Sequence, residues 1–312
     1  MDFSVVIPLY NKAPHVAAAV QSALDQSLPA REIIVVDDGS TDGSTQIVEH
    51  FDDPRVKLLN RSPPGPGGYA ARNLGIESAA SDWIAFLDAD DYWHADHLQS
   101  LADAVARSGE LVGGAFSRLE VVKGSERAIY PVSRRYLSPD RPNSFADMLG
   151  AWLDAGRCPV WTSAAAFQRD VLLRAGLFPS GRTLRGGDKD LFLRAMALAP
   201  TAYSQAVTGG FREDAVNRVS NITWHNELPL ITVTIRELLT SQEPPIAGLL
   251  RQVSNHEIAL YAKHSAGRGH PVGLNFLEAL YMPSGLGTAL KVSTWSALGL
   301  LIRTLRGLRV PT

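Results

Sequence analysis

The sequence predicts an α/β fold, a doubly wound and mostly parallel sheet with helices on both faces, followed by a helical C-terminal extension. Short apolar runs at residues 5–7, 33–36, 56–59 and 83–87 alternate with segments of helical spacing, the pattern of βαβ units. The fourth run, Trp83-Ile84-Ala85-Phe86-Leu87, passes straight into Asp88-Ala89-Asp90-Asp91, which places carboxylates at a strand exit. After about residue 227 the alternation stops and helical spacing takes over.

Val5-Val6-Ile7 is a β-branched run that reads as the first strand, ended by Pro8, with Leu9-Tyr10-Asn11-Lys12 at its exit. A helix follows, with Pro14 in its first turn and Val16, Val20, Ala23 and Leu24 at helical spacing. Ile33-Ile34-Val35-Val36 reads as a second buried strand. Its exit, residues 37–43, is rich in turn and N-cap formers and opens a helix over residues 44–50. Residues 56–59 are a third strand. Residues 62–68 hold too much proline and glycine for regular structure, and are expected to be a loop leading into a helix over 69–79. The fourth strand precedes a helix with Leu98, Leu101, Ala102 and Val105 on one face. Right-handed crossovers and the usual doubly wound order bring the exits of strands one, two and four to one crevice, so Tyr10, Lys12, Asp38 and Asp90 are expected to converge.

Further on, residues 111–120 read as a strand, 134–143 as an irregular polar segment, and 161–167 as another strand. Residues 169–176 read as a short helix ended by Gly176, 183–188 as a loop, and 188–197 as a helix carrying Leu191, Phe192 and Ala195. The expected division is a main domain over 1–225, in halves of about 1–110 and 111–225, and a helical extension over 226–312.

The chain has 312 residues, is 45% hydrophobic and 20% charged, and carries a net charge of -2. That composition is ordinary for a globular protein and gives no basic footprint for nucleic acid. One cysteine, Cys158, excludes an internal disulfide and any multi-cysteine metal site. The chain opens Met1-Asp2-Phe3-Ser4 and enters a strand at once, without a signal-peptide pattern, and no apolar run approaches the ~20 residues that span a bilayer. These features point to the cytoplasm.

A strand interior cannot hold the charge of Asp88, Asp90 and Asp91 unpaired, because burying a lone carboxylate costs more than the strand recovers. Acids crowded at a strand exit repel one another unless a cation lies among them, and oxygen-only ligands suit Mg2+ or Mn2+. Taken alone, such a stretch reads as a solvated acidic turn, with Asp91 capping the next helix.

The company it keeps decides between these readings. Ser4-Val5-Val6-Ile7-Pro8-Leu9-Tyr10-Asn11, Val36-Asp37-Asp38-Gly39-Ser40-Thr41-Asp42, Ala71-Arg72-Asn73-Leu74-Gly75-Ile76, Phe86-Leu87-Asp88-Ala89-Asp90-Asp91 and Gly187-Asp188-Lys189-Asp190-Leu191-Phe192-Leu193-Arg194 occur in that order. Together they resemble glycosyltransferase family 2, the inverting nucleotide-sugar transferases of the GT-A fold, over roughly residues 3–220. The resemblance implies a GT-A sheet, a nucleotide-sugar donor such as a UDP-sugar, a saccharide or lipid-linked acceptor, and Mn2+ or Mg2+ as cofactor.

It also implies roles. Pro8, Tyr10, Lys12, Asp38, Arg72, Asp88, Ala89 and Asp90 are carried onto the donor site. Asp38 matches the acid that bonds the nucleobase, where a carboxylate suits the imide N–H of uracil or thymine; its alternative is an N-cap. Tyr10 is placed along the base and Lys12 facing the diphosphate. Asp90 matches the metal-bound acid, and Asp88 a ligand of ribose or metal. Asp188 matches the catalytic base, which takes the acceptor hydroxyl's proton as its oxygen attacks the anomeric carbon; Asp190 is its rival. The sequence departs from the family at Gly187, where glutamate is common, and at Asp214, where a metal-binding histidine is sought.

Two other classes compete. A sugar-nucleotide pyrophosphorylase would need a glycine-rich signature after the first strand, and Leu9-Tyr10-Asn11-Lys12-Ala13 has none. A catalytically inactive nucleotide-sugar sensor is distinguished only by turnover. In the tail, Trp295, Leu298, Leu301, Ile302, Leu305 and Leu308 recur at helical spacing among Lys291, Arg303, Arg306 and Arg309. Residues 291–309 therefore read either as a helix packed on the catalytic domain or on a second subunit of a homodimer, or as a peripheral membrane contact on the inner face.

Overall fold

The structure, a computed structural model, describes residues 1–63, 68–109, 111–215 and 227–307, without the side chains of 305–307. In the first half β1 (Phe3–Leu9), α1 (Val16–Leu24), β2 (Glu32–Asp37), α2 (Ser44–Glu49), β3 (Val56–Asn60), α3 (Gly68–Ser78), β4 (Trp83–Phe86), β5 (Tyr92–Trp93) and α4 (His97–Ser108) follow in order. The second half adds β6 (Gly114–Lys123), β7 (Glu126–Ile129), α5 (Phe145–Ala155), β8 (Ala165–Gln168), α6 (Arg169–Arg174), α7 (Gly187–Leu198) and β9 (Thr201–Arg212). Toward the C-terminus come α8 (Ile231–Leu238), α9 (Pro244–Gly267), the single turn α10 (Asn275–Glu278) and α11 (Leu286–Gly307).

One sheet runs β3-β2-β1-β4-β8-β6-β9-β5, with β7 paired to β6. β1 to β4, β6 and β9 point one way, and β5, β7 and β8 the other. The sheet is covered on both faces, which is why its strands read as nearly unbroken apolar runs. Alternate residues serve the two layers. Val5, Ile7, Ile33, Val35 and Ala85 pack with α1 and α4. Val6, Ile84, Phe86, Phe116 and Phe167 pack with α5, α6 and α7, and the same core takes in Ile231, Ile235, Leu250 and Val253 from the C-terminal helices.

Three expectations need correction. β1 continues through Pro8 to Leu9. The Val6 carbonyl accepts from Leu87 on the β4 side and the Leu9 carbonyl accepts from Asp38 on the β2 side. Pro8 therefore has its missing N–H on the β4 side, one step beyond the last β1–β4 pair, Val6–Phe86. The strand expected over 161–167 is a 3-10 turn, Thr162–Ala164, followed by β8. The short elements β5 and β7, together with α5 and β9, lie where the sequence pattern predicts no element. Of the loop expected over 62–68, residues 64–67 lie outside the described residues, and Gly68 opens α3.

Candidate active site

The exits of β1, β2 and β4 meet as expected, and backbone chemistry locks them. Asn11 takes a left-handed φ of 51°, tolerable for asparagine. Its N–H donates to Ser40 Oγ at 3.0 Å and its Oδ1 accepts from the Thr41 N–H at 2.8 Å, tying the first exit to the second. Asp37 is consumed in shaping that turn, accepting from Ser40 Oγ at 2.6 Å and Thr45 Oγ1 at 2.7 Å. On this frame Lys12 Nζ reaches Asp90 Oδ2 at 2.6 Å, across the crevice.

Every donor-side acid expected from sequence is found with a cation. Asp90 holds Lys12, Asp88 holds Arg72 of α3, and the buried Asp38 accepts from Arg61 Nε at 2.6 Å. Arg61 lies just past the exit of β3. Among the described residues, the buried nitrogens Arg61 Nη2, Arg72 Nε and His15 Nε2 have no hydrogen-bond partner. Tyr10 is 58% exposed at the lip, Pro8 is half-buried, and Ala89 is buried between the two acids.

Asp91 does not cap α4. It is buried, accepts from Ser163 Oγ at 2.5 Å and from the Arg212 N–H at 3.2 Å, and so ties the turn after β4 to β9. Burial, reinforced by the charges of Asp88 and Asp90, raises its carboxyl well above the usual range. Asp214 follows β9, exposed, and accepts from the Gly124 N–H at 2.8 Å. The imidazole in the neighbourhood of Asp90 comes instead from His15, just before α1. Burial holds it below its ordinary pKa, against the opposing pull of Asp90.

The corner that the resemblance assigns to the acceptor is built on the start of α7. Gly186 has φ 71°, and a Cβ on Gly187 would lie 2.8 Å from the Tyr69 ring and 2.9 Å from Pro179. That contact explains why no glutamate stands at 187. The Gly187 N–H donates to Tyr69 Oη at 2.9 Å, fixing this corner against α3. Asp188 is half-buried there, and among the described residues no hydrogen bond or ion pair engages it. Beside the larger effect of burial, its charge acts upward on the pKa values of Tyr69 and Arg72 on α3, as it does on those of Arg185 and Tyr261, so it lies in the neighbourhood of these side chains.

Its neighbours are committed elsewhere. Lys189 Nζ meets Glu257 Oε2 at 2.8 Å, and Glu257 also accepts from Trp152 Nε1 at 3.0 Å. Burial would lower the Lys189 pKa, and Glu257 more than reverses that. Asp190 is buried with Arg194 Nη2 at 2.6 Å and the Thr234 hydroxyl. It points into the protein, as an i+2 neighbour of Asp188 on a helix should.

The family model for glycosyl transferase family 2 matches residues 4–172, more than half of the chain. The chain belongs to glycosyl transferase family 2. Among its family 2 relatives, an uncharacterized glycosyltransferase of Nostoc is 35% identical over 55% of this chain and 52% of its own length. The succinoglycan biosynthesis protein ExoO of Rhizobium meliloti is 37% identical over 44% of this chain and 38% of its own. The amylovoran biosynthesis glycosyltransferase AmsB of Erwinia amylovora is 29% identical over 62% and 64%. The chain thus spans about half the length of the first curated relatives it matches. Among solved structures, Staphylococcus aureus TarS 1–349 in complex with UDP-GlcNAc superposes over 97% of this chain and 92% of its own, with TM-score 0.72 at 18% identity. At that identity the likeness concerns the fold, the GT-A arrangement expected.

For a family 2 member a divalent metal is the implied cofactor. Among the described residues no group of three or more His, Cys, Asp or Glu side chains is placed to hold an ion unaided. Asp88 and Asp90 still fit one, because Mg2+ and Mn2+ commonly take one or two carboxylates and complete their shell with phosphate oxygens and water. Lys12 must then leave Asp90. Sequence reasoning missed Arg61, His15 and Arg212 around this family 2 site. Arg61 carried a usable signal, since it follows a strand exit in the same crevice; Arg212 lies in the Phe211-Arg212-Glu213-Asp214-Ala215 segment that the resemblance marks without giving Arg212 a role, and His15 carried none.

Proposed function

We propose that this chain is an inverting glycosyltransferase that moves a sugar from a UDP-sugar to a hydroxyl of a saccharide or lipid-linked acceptor during polysaccharide synthesis. The setting in polysaccharide synthesis is suggested by the names of ExoO and AmsB, and the donor class by the complex of TarS with UDP-GlcNAc. The observation that carries the reading is Asp188. Among the described residues it is the acid of its helix turn without a partner, near a crevice in which Asp38, Asp88 and Asp90 are each held by a cation.

Asp38, after Arg61 yields, accepts the imide N–H of the base, and Tyr10 lies along its face. Lys12 and Arg72 leave Asp90 and Asp88 for the diphosphate, where their charge is worth more as the leaving group becomes anionic. A divalent ion bound at Asp88 and Asp90 would offset the same charge. Asp188 takes the proton of the acceptor hydroxyl as that oxygen attacks the anomeric carbon from the face opposite the diphosphate, so configuration inverts and no covalent glycosyl-enzyme forms. Residues 1–110 serve the donor and 111–225 the acceptor, with α9 bracing Lys189 through Glu257.

The test is a hydrolysis and transfer screen of purified protein against UDP-, dTDP- and GDP-sugars with Mn2+, with the anomeric configuration of any transfer product read by NMR. Turnover of a UDP-sugar with inverted product is expected. Nucleotide-sugar binding with no turnover across acceptors would instead make the chain a sensor or scaffold, and a retained configuration would remove Asp188 from the role of base to the attacking hydroxyl.

A further inference from the structure

α11 is packed against the protein on one side only. Val292 is buried against α9, Trp295 lies 5.9 Å beneath the Lys263 ammonium, and Gly299 and Ile302 close on the His270 and Gly269 backbone. On the opposite side none of the described residues covers it. Leu286 is 65% exposed, Leu290 72% and Leu301 55%, and with Ala297 they share one helix face by their spacing. Leu298 and Leu300 flank it, also exposed. Lys291 and Arg303 lie well away from the centre of this face, and Arg303 borders the packed side, its backbone beside Gly269. The threonines on it are turned back on the helix, Thr294 Oγ1 donating to Leu290 O at 2.9 Å and Thr304 Oγ1 to Leu300 O at 3.0 Å. The face is therefore mostly leucine and alanine, interrupted by the exposed Ser293, with both threonine hydroxyls bonded back to the helix.

Charge selects what covers it. From Ile258 to the end the sequence carries Lys263, Arg268, Lys291, Arg303, Arg306 and Arg309 against one acid, Glu278, in a chain whose net charge is -2. Two copies meeting through this face would bring Lys291 and Arg303 of each together with almost no acid to offset them. An anionic surface does the reverse. No helix among the described residues is long and apolar enough to cross a membrane.

We infer that α11 lies in the headgroup layer of an anionic lipid bilayer, leucines toward the acyl chains and Lys291 and Arg303 toward phosphates. α11 packs on α9, and α9 brings Tyr261 to the Gly186 corner beside Asp188, where a Cβ at 186 would lie 2.6 Å from its hydroxyl. On the proposed function, this contact would set the acceptor side one helix layer from the lipid surface; the binding itself does not depend on that function.

Flotation of the full chain with phosphatidylcholine vesicles, with and without phosphatidylglycerol, tests it at low and high salt. The expected result is binding at least about tenfold stronger to the anionic vesicles, weakened by salt. Leu290→Asp/Leu301→Asp should abolish it while leaving circular dichroism and nucleotide binding unchanged. Equal indifference to both vesicles overturns the inference, as does undiminished flotation of the double variant. A lipid-free dimer that the double variant converts to monomer would also overturn it, and would make the face a contact between copies. Vesicle binding without sugar transfer would leave this inference standing and sink the enzymatic one.

Discussion

The donor crevice and the acceptor corner handle charge in opposite ways. In the crevice Asp38, Asp88 and Asp90 are each neutralised by a base from another element, Arg61, Arg72 and Lys12. At the corner three consecutive charged residues divide their work: Lys189 and Asp190 are spent on Glu257 and Arg194, and Asp188 is left over. A site that receives a diphosphate and a cation can store its charges as internal pairs, because the ligand brings replacements for both signs. A site that receives a neutral hydroxyl brings none, so its base must stand unpaired beforehand. On the proposed function, paired acids hold a ligand and the unpaired acid does the chemistry.

The contrast is broken most severely by removing what the crevice exchanges for its internal pairs. Chelation of divalent ions, or Asp90→Ala, should lower turnover on the order of 10³-fold, since metal stabilisation of a leaving group is worth several kcal/mol. Steady-state assays with added EDTA and with Mn2+ restored read this directly. Full activity after exhaustive chelation would leave Lys12 and Arg72 as the cations of the reaction.

Asp190→Asn sharpens the division at the corner. It removes one partner of a buried pair, so stability should fall by about 3 kcal/mol in urea titration. Turnover per folded molecule should hold.

The crevice also rests on uncharged packing. His97 is fully buried, stacked on Trp93 at 4.3 Å, with Nδ1 2.8 Å from Thr208 Oγ1. Burial, with a smaller contribution from His94, pulls its pKa down to about 3. Its depressed value means the folded state resists a proton that the unfolded chain accepts, so stability is lost as pH falls below the unfolded value of about 6.5, and continues to fall toward 3. Between pH 7 and 5 the cost is about 2 kcal/mol, and His97→Gln should flatten that part of the urea-stability profile. Smallest is Lys12→Met, which on the proposed function leaves the metal ligands in place and removes one diphosphate contact. Because that contact strengthens as the leaving group becomes anionic, kcat should fall about tenfold with the donor KM changed less, the worth of one charge-assisted hydrogen bond.

Much of the donor half could be read from sequence because parallel strands buried on both faces leave few ways to arrange themselves, and their exits fall on one edge. Lys12 and Asp90 meet where alternation says they should, and Asp38 lies beside the exit of β1 through its N–H to the Leu9 carbonyl. Their partners were not legible in the same way, because Arg61 and Arg72 become significant only once β3 and α3 lie beside the crevice. β9 is hard to see in sequence because Thr201-Ala202-Tyr203-Ser204-Gln205 has no sustained apolar run, and it is held by its pairing with β6. The integration of α8 and α9 into the main core is hidden for the same reason: Glu257 looks like a surface acid until Lys189 and Trp152 are set against it.

The claim that one unpaired acid does the chemistry is tested most directly by measuring, on the same preparation of Asp188→Asn, turnover at saturating donor and affinity for the nucleoside diphosphate. Asparagine keeps the shape and removes the proton acceptor. Turnover should fall roughly 10²–10⁴-fold, the usual worth of a general base, with nucleotide affinity within about twofold of the parent. Loss of nucleotide affinity alongside turnover, or near-parental turnover, would contradict the division of labour between the two halves.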